Sequence, residues 1–298
     1  MKPPPSGPSA GVSPPELSRH GPPATDGRLI YAVGDLHGRL DLLDRVMAAI
    51  GRDARKAAHR PVLVFLGDYI DRGAQSKGVI DRLIELANGG DFELRALKGN
   101  HEEALLKFVA DGGFGPKWCD HGGEATLASY GVAPPRMRSD PDAWSTTREA
   151  FMAALPQAHL GFFNSLELSA TYGEYLFVHA GVRPDAPLAA QAEHDLLWIR
   201  APFLDIGEAF EKIVVHGHTP QPAPHMGDHR IGIDTGAYAS GLLTAVRLEG
   251  AARRFIQAAQ APSRRRALPA AQEAAERERR FKAKADHFKR AWTRPAEA

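Results

Sequence analysis

Cysteine is almost absent from this 298-residue sequence. Cys119 is the only one, which excludes an intramolecular disulfide and a cysteine-rich metal site. Long apolar runs are also missing, since no stretch approaches the length of about 18 residues typical of a transmembrane helix. The N-terminus carries proline and serine where a signal peptide needs a continuous apolar core. We therefore expect a soluble protein of the cytoplasm.

The net charge of +1 conceals two parts of opposite charge. From Ala251 onward there are 13 lysines and arginines but five aspartates and glutamates, whereas residues 1–250 hold 24 basic and 31 acidic residues. An acidic main part does not suggest a nucleic-acid binder, so no nucleic-acid partner is expected. The 43% of hydrophobic residues are enough for a large buried core.

Composition divides the chain into three parts. Residues 1–27, rich in proline, serine and glycine, are expected to form a disordered leader. Residues 28–250 are expected to form the catalytic domain, and residues 251–298 a basic, partly helical tail. Within the tail, residues 270–294 are typical of one helix with a narrow apolar stripe. This helix could dock on the acidic domain, on an anionic membrane surface or on acidic partners, or remain a solvated extension.

Short apolar strands alternate with helical patterns in the first half of the domain, which favours an α/β fold. In the second half, strands follow each other with few helices between them, so part of the sheet system is expected to be antiparallel. The predicted strands are 29–33, 61–66, 92–97, 174–178, 212–215, 230–233 and 243–248, and the predicted helices of the first half are 40–50, 79–87 and 102–110.

Five short polar motifs follow five of the predicted strands. They are GDLHG (34–38), GDYIDRG (67–73), GNHE (99–102), VHAG (178–181) and HGHT (216–219). Ligand sites of α/β folds lie at the C-terminal ends of strands. Each motif alone could be an ordinary turn, but all five carry carboxylate, imidazole or amide groups suited to Mn²⁺, Fe²⁺ or Zn²⁺. Two such ions, about 3.5–4 Å apart, can polarise a phosphoryl group and generate hydroxide.

The first three motifs, in this order, resemble the calcineurin-like metallophosphoesterases and, within them, the phosphoprotein-phosphatase branch. VHAG, HGHTP and WIR (198–200) are most similar to bacterial and bacteriophage lambda-type serine/threonine protein phosphatases. The similarity covers residues 28–250. It implies a four-layer α/β/β/α sandwich, in which two mixed β-sheets are flanked by helices.

The resemblance also implies a role for each motif residue. Two divalent ions, Mn²⁺ in the first place and Fe or Zn as alternatives, would be held by Asp35, His37, Asp68, Asn100, His179 and His218. Asp68 would bridge the two ions. His101 would be the general acid, and Asp71 would orient it and hold it protonated. Substrate would be bound by Arg72, Asn100 and Arg200.

The activity implied is hydrolysis of phosphomonoesters, first of all as a serine/threonine protein phosphatase, by in-line attack of a metal-bound hydroxide. Two alternatives stay open: a bis(5'-nucleosyl)-tetraphosphatase and a phosphotyrosine-preferring phosphatase. The partner is accordingly a phosphorylated protein or a small phosphorylated molecule. Specificity is expected to reside in residues 111–172 and 183–200. His216, His121 and Trp118 are interpreted as structural or turn residues rather than as contacts of metal or substrate.

Overall fold

The computed structural model describes residues 24–207 and 210–261, together with five single positions of the tail, 275, 278, 279, 282 and 283. Those five positions are helical and exposed. The rest of the expected tail helix, and the expected leader up to residue 23, lie outside the described residues.

Two five-stranded mixed sheets form the centre of the molecule. The first has the strand order β10-β9-β1-β2-β3 and the second β4-β5-β6-β8-β7. In the first sheet β1, β2 and β3 are parallel and β9 and β10 antiparallel, and in the second β5, β6 and β8 are parallel. The strands are β1 (Leu29–Val33), β2 (Val62–Phe65), β3 (Glu93–Ala96), β4 (Ser169–Tyr172), β5 (Tyr175–Val178), β6 (Ile213–His216), β7 (His225–Met226), β8 (Arg230–Gly232), β9 (Leu242–Glu249) and β10 (Ala252–Ala259).

Helices cover the outer faces of both sheets. They are α1 (Leu40–Ala54), α2 (Ser76–Asn88), α3 (Asn100–Ala110), α4 (Gly115–Asp120), α5 (Gly123–Ser129), α6 (Pro141–Ala154), α7 (Gln157–Asn164), α8 (Glu193–Trp198), α9 (Ala201–Leu204) and α10 (Ala237–Ser240). Short 3-10 turns lie at Gly112–Phe114 and Leu188–Ala190. Among the described helices none is both long enough and apolar enough to cross a membrane.

Alternation along the strands creates three apolar layers. In β1, Tyr31 and Val33 face the helices α1 to α7, whereas Ile30 and Ala32 face the second sheet. The outer face of the second sheet is covered by the segment that includes Leu196 and Phe203. Because successive strand residues point to opposite faces, a strand buried on both sides is apolar throughout. The expected α/β/β/α sandwich with two mixed sheets is thus confirmed.

The expected end of the catalytic domain at residue 250 needs correction. β10 pairs with β9 along eight residues, from Ala252 opposite Glu249 to Ala259 opposite Leu242. Ile256 and Ala258 of β10 are buried in the layer beneath α1. The sequence ARRFIQAA has two arginines, like the basic tail that follows it. Its alternate residues Ile256 and Ala258, however, point to the same face of the sheet and are buried there. The sheet therefore extends to residue 259.

Candidate active site

The five polar motifs converge at one edge of the two sheets, because β1, β2 and β3 end there together, as do β5 and β6. All six residues expected to hold metal are buried there: Asp35, His37, Asp68, Asn100, His179 and His218. Apolar strands thus place six polar side chains in one water-poor pocket. Buried polar groups of this kind require partners, since leaving them unpaired is costly.

Asp68 is shared by two groups of potential metal ligands. One group consists of His37, Asp68 and His101, and the other of Asp68, His179 and His218. Within each group the donor atoms lie within 4.8 Å of one another. The two carboxylate oxygens face opposite groups, since Oδ2 lies 3.4 Å from His37 Nε2 and Oδ1 lies 3.4 Å from His179 Nε2. A carboxylate placed in this way is suited to link two cations.

The tautomers of two histidines are set by backbone carbonyls. His37 Nδ1 lies 2.8 Å from Ile70 O, and His179 Nδ1 lies 2.8 Å from Leu66 O. Each Nδ1 therefore carries the ring proton and donates a hydrogen bond to the carbonyl oxygen. Each Nε2 then presents a lone pair to the pocket, as is typical of metal-ligating histidines.

Asn100 completes the second group. Its Oδ1 lies 2.9 Å from His179 Nε2 and 2.9 Å from His218 Nδ1. Since the proton of His179 is donated to Leu66, its Nε2 and the amide oxygen face each other as two acceptors. Burial lowers the pKa of His179 to about 4, so a second proton does not resolve this contact. A cation bound by both atoms would satisfy them, and the donor set fits a divalent ion.

Asp35 lies against the backbone of the last motif. Both of its carboxylate oxygens accept from the backbone N–H of His218 at 3.2 Å. Burial, followed by the nearby Asp234 and Asp68, raises the pKa of Asp35 well above its ordinary value, and burial raises that of Asp68 to about 7. Three buried carboxyl groups in one pocket are mutually unfavourable when ionised, and cations offset this repulsion.

Backbone strain is concentrated at the same place. Six non-glycine residues of the described chain have a left-handed backbone, and five of them belong to the motifs. The five are His37 (φ 43°), Asp68 (53°), Asp71 (70°), Arg72 (68°) and His218 (63°). Such conformations cost on the order of 1 kcal/mol each, persist where the surroundings enforce them, and cluster at functional sites.

His101 and Asp71 form a buried pair beside the first group. His101 Nδ1 lies 2.6 Å from Asp71 Oδ2, and one proton is shared between them. Burial and then the Arg72 guanidinium lower the pKa of His101, and burial raises that of Asp71. Asp71 thus lies where it can orient His101, and its expected role in holding His101 protonated stays a prediction. An additional negative charge near Nε2 would favour the protonated imidazole.

Two arginines and two aromatic rings border the pocket. Arg72 donates to His37 Nε2 at 2.9 Å and to His101 Nε2 at 3.0 Å, and Arg200 donates from Nε to His218 Nε2 at 3.2 Å. The Arg72 guanidinium lies over the ring of Tyr238 at 4.8 Å. On the other side, the half-buried Trp198 meets the ring of His218 edge to face at 6.3 Å. Each arginine thus contacts one of the two ligand groups.

Three further histidines, His216, His121 and His159, lie outside the two ligand groups. His216 is buried against Phe203 and contacts Gly217 O at 3.1 Å, outside both ligand groups. His121 ends α4 and is buried. His159, which is also outside both ligand groups, contacts the Tyr130 hydroxyl at 2.8 Å and Asp81 at 2.9 Å.

Glu102 is a further site residue; it belongs to the motif GNHE, but the motif alone gives it no role. Its carboxylate accepts backbone N–H groups from Gly99 at 2.9 Å, Asp68 at 2.9 Å and Tyr69 at 2.8 Å. It thereby ties the loop after β2 to the loop after β3. One signal in the sequence could have revealed it. Glu102 is an acidic residue in the first turn of a helix, two positions after the expected ligand Asn100.

We expect Glu102→Gln to lower the free energy of unfolding by about 2–3 kcal/mol, because the new amide N–H₂ faces backbone donors and leaves one of them unpaired. Denaturant titration measures this loss. The matched control is Glu103→Gln, the next residue, whose half-exposed carboxylate accepts from Trp198 Nε1 at 2.9 Å, a contact an amide oxygen can keep. Equal losses in the two variants would contradict this role of Glu102.

The four-layer sandwich, the pocket at the strand ends and its paired acid and imidazole groups define a metal-dependent phosphoesterase. The chain belongs to the calcineurin-like phosphoesterase family, whose sequence model matches residues 28–240. The protein is therefore a hydrolase of phosphoesters. The expected superfamily is confirmed. The expected lambda-type branch is not, because the similar proteins below carry a different activity in their names.

Two curated relatives illustrate the similarity. The asymmetrical bis(5'-nucleosyl)-tetraphosphatase PrpE of Anoxybacillus flavithermus is 26% identical over 239 residues, covering 74% of this chain and 90% of that protein. The protein of the same name from Bacillus thuringiensis is 27% identical over 242 residues, covering 72% and 88%. A solved structure of a proposed diadenosine tetraphosphatase superimposes with a TM-score of 0.53 at 18% identity, over 79% of this chain and 96% of that one, which supports the fold.

Proposed function

We propose that this protein hydrolyses dinucleoside polyphosphates with the help of two divalent ions. The observation that carries the proposal of a two-ion site is the sharing of Asp68 by two buried ligand groups. Asp35, His37 and Asp68 would hold one ion, and Asp68, Asn100, His179 and His218 the other. Mn²⁺ suits this mixture of oxygen and nitrogen donors, as do Fe²⁺ and Zn²⁺.

The ions, when bound, would polarise the phosphoryl group and lower the pKa of water at the site. The chain itself supplies binding and proton transfer. Arg72 and Arg200 border the two ligand groups and would bind the phosphoryl oxygens with forked N–H donors, together with the Asn100 amide. Their low-dielectric surroundings strengthen these contacts.

His101 would protonate the leaving oxygen from Nε2. Its Nδ1 is fixed by Asp71, so Nε2 is the only ring atom directed at the pocket. Arg72 lies 3.0 Å from Nε2 and disfavours a second proton there. A phosphoryl group bound by Arg72 would offset that positive charge and supply the negative charge near Nε2. Substrate binding would then favour the protonated, acidic form of His101.

Two observations support a dinucleotide as substrate. The relatives that match nearly their whole length are named as bis(5'-nucleosyl)-tetraphosphatases. The pocket is also bordered by aromatic rings on both sides, Tyr238 beside His37 at 5.2 Å and Trp198 beside His218. The second ring stacks with the exposed His194 at 6.3 Å. Aromatic faces of this kind suit nucleobases.

Dephosphorylation of proteins, the activity that the resemblance of the motifs implies first, is the second candidate. The motif GDYIDRG with Arg72 and the motif WIR with Arg200 favour it, since both arginines lie beside the ligand groups, where they could bind a phosphoryl group. The same contacts would serve any phosphoryl group.

A substrate panel with purified protein and Mn²⁺ tests the proposal. It compares kcat/KM for diadenosine tetraphosphate with that for phosphoserine, phosphothreonine and phosphotyrosine peptides. We expect the dinucleotide to exceed every peptide by at least about tenfold. Separation of the products by chromatography distinguishes asymmetrical cleavage, to ATP and AMP, from symmetrical cleavage to two ADP. A phosphopeptide with the highest kcat/KM would reject the dinucleotide in favour of the second candidate.

A further inference from the structure

The helical segment after α3, residues 111–130, packs against the loop that carries Asp71 and Arg72. Its backbone joins this loop directly, since Arg72 N donates to Gly122 O at 3.2 Å. Two of its side chains reach further, to the carboxylate of Asp71. They are Trp118 of α4 and Thr126 of α5, and neither belongs to the motifs that indicated the site.

Each oxygen of the Asp71 carboxylate has its own donor from this segment. Trp118 Nε1 donates to Oδ2 at 2.9 Å, the same oxygen that lies 2.6 Å from His101 Nδ1. Thr126 Oγ1 donates to Oδ1 at 2.6 Å and accepts from the backbone N–H of Asp71 at 2.9 Å. The side chain and the backbone of Asp71 are therefore both fixed, although the residue has a left-handed backbone.

The two donors are rigid because of how they pack. Trp118 is fully buried and lies 5.0 Å from the ring of Phe108 and 6.0 Å from that of Phe151. Gly123 lies flat against the indole, where a Cβ would come within 2.5 Å of Cδ2. Thr126 is fully buried beside Ser76 Oγ at 3.0 Å. An indole held on both faces cannot rotate away from its acceptor.

We infer that Trp118 and Thr126 are positioning residues for the acid step. They fix the plane of the Asp71 carboxylate, and this carboxylate fixes the imidazole of His101, so that Nε2 meets the leaving oxygen. The inference rests on the proposed role of His101. It assigns to the helical segment, expected only to contribute specificity, a part in proton transfer. In metal sites, replacing a residue that orients a ligand through a hydrogen bond lowers metal affinity or activity by about 10–100-fold.

The test uses Trp118→Phe, which removes the N–H donor but keeps an aromatic ring, with two aryl phosphates in Mn²⁺. Phenyl phosphate releases a phenol with a pKa of about 10 and so depends on the acid. 2,4-Dinitrophenyl phosphate releases a far weaker base and does not. We expect kcat for phenyl phosphate to fall about tenfold or more, and kcat for the dinitrophenyl ester to change by less than about threefold.

Trp144→Phe is the matched control. Trp144 is almost fully buried in the same aromatic layer, 6.2 Å from Phe108, but its indole donates to Arg138 O at 2.8 Å rather than to Asp71. It reports the cost of losing a buried indole donor and its volume. Thr126→Val, which keeps the shape and removes the hydroxyl, is the second variant and is expected to show the same leaving-group selectivity as Trp118→Phe.

The result that overturns the inference is an equal loss on both esters in Trp118→Phe and Thr126→Val, or no loss beyond that of Trp144→Phe. The double variants with His101→Asn separate this failure from a failure of the proposed function. If the acid acts through these contacts, Trp118→Phe adds no further selectivity once His101 is replaced. If His101→Asn itself has no leaving-group selectivity, the proposed acid and the inference both fall.

Discussion

Replacing His101 by asparagine is expected to lower turnover by about 10²–10⁴-fold while both metal ions stay bound. Asparagine keeps a polar side chain at this position but cannot transfer a proton. His101 Nδ1 is engaged by Asp71 and its Nε2 lies 3.8 Å from Asp68 Oδ2, further than the two histidines that approach this carboxylate at 3.4 Å. Elemental analysis of the purified variant, together with kcat for phenyl phosphate, measures both quantities.

The geometry makes this experiment decisive, because His101 also falls within one of the two potential ligand groups. Loss of one equivalent of metal in His101→Asn would identify it as a ligand and refute its role as the acid. His159→Asn is the control. This histidine is buried, has partners at both ring nitrogens, and lies outside the pocket, so its replacement should leave both metal content and turnover within about twofold.

Asp68→Asn is expected to remove both ions and at least about a thousandfold of the activity, since metal ions contribute several kcal/mol to the stabilisation of phosphoryl transition states. The two carboxylate oxygens of Asp68 face different ligand groups, so the loss of its negative charge affects both ligand groups. Oδ1 also accepts from the backbone N–H of His101 at 3.1 Å, a contact an amide oxygen can preserve. The variant should therefore fold and fail in metal binding.

Thermal unfolding with increasing Mn²⁺ separates these effects. The melting temperature of the unmodified protein should rise with Mn²⁺ because the ions bind the folded state, whereas that of Asp68→Asn should stay almost constant. Asp53→Asn is the control. The Asp53 carboxylate accepts hydrogen bonds from the Tyr31 hydroxyl and from Arg247, and it belongs to neither ligand group. A normal response to Mn²⁺ in Asp68→Asn would contradict the shared-ligand arrangement.

The sequence predicts the sandwich and the pocket well, because both depend on local patterns. Apolar runs such as residues 29–33 agree with β1 to the residue, and the predicted strands at 212–215 and 243–248 agree with β6 and β9 within about two residues. The edge strands β4, β7 and β10 are absent from the predicted strands; β10 has the basic composition of the tail, and the other two have a different reason. β4 and β7 are short, β4 is only partly buried and β7 is exposed, so their composition does not differ from that of a loop.

Contacts between distant segments are the part that single motifs cannot reveal. Glu102 and Trp118 act on loops 30 or more positions away along the chain, and nothing in GNHE or in the sequence around Trp118 specifies their acceptors. From the sequence, Trp118 and His121 are interpreted as structural or turn residues. Three-dimensional packing gives them their partners, since helix α4 must first lie against α3 before the indole can reach Asp71.

The left-handed backbone of the five motif residues has a consequence for laboratory evolution. At these positions glycine would relieve the strain of the backbone, but it would also remove a side chain of the site. Relief of strain and turnover are therefore opposed at these positions, so selection for heat resistance needs a parallel assay of turnover. Libraries for thermostable variants should leave His37, Asp68, Asp71, Arg72 and His218 unchanged.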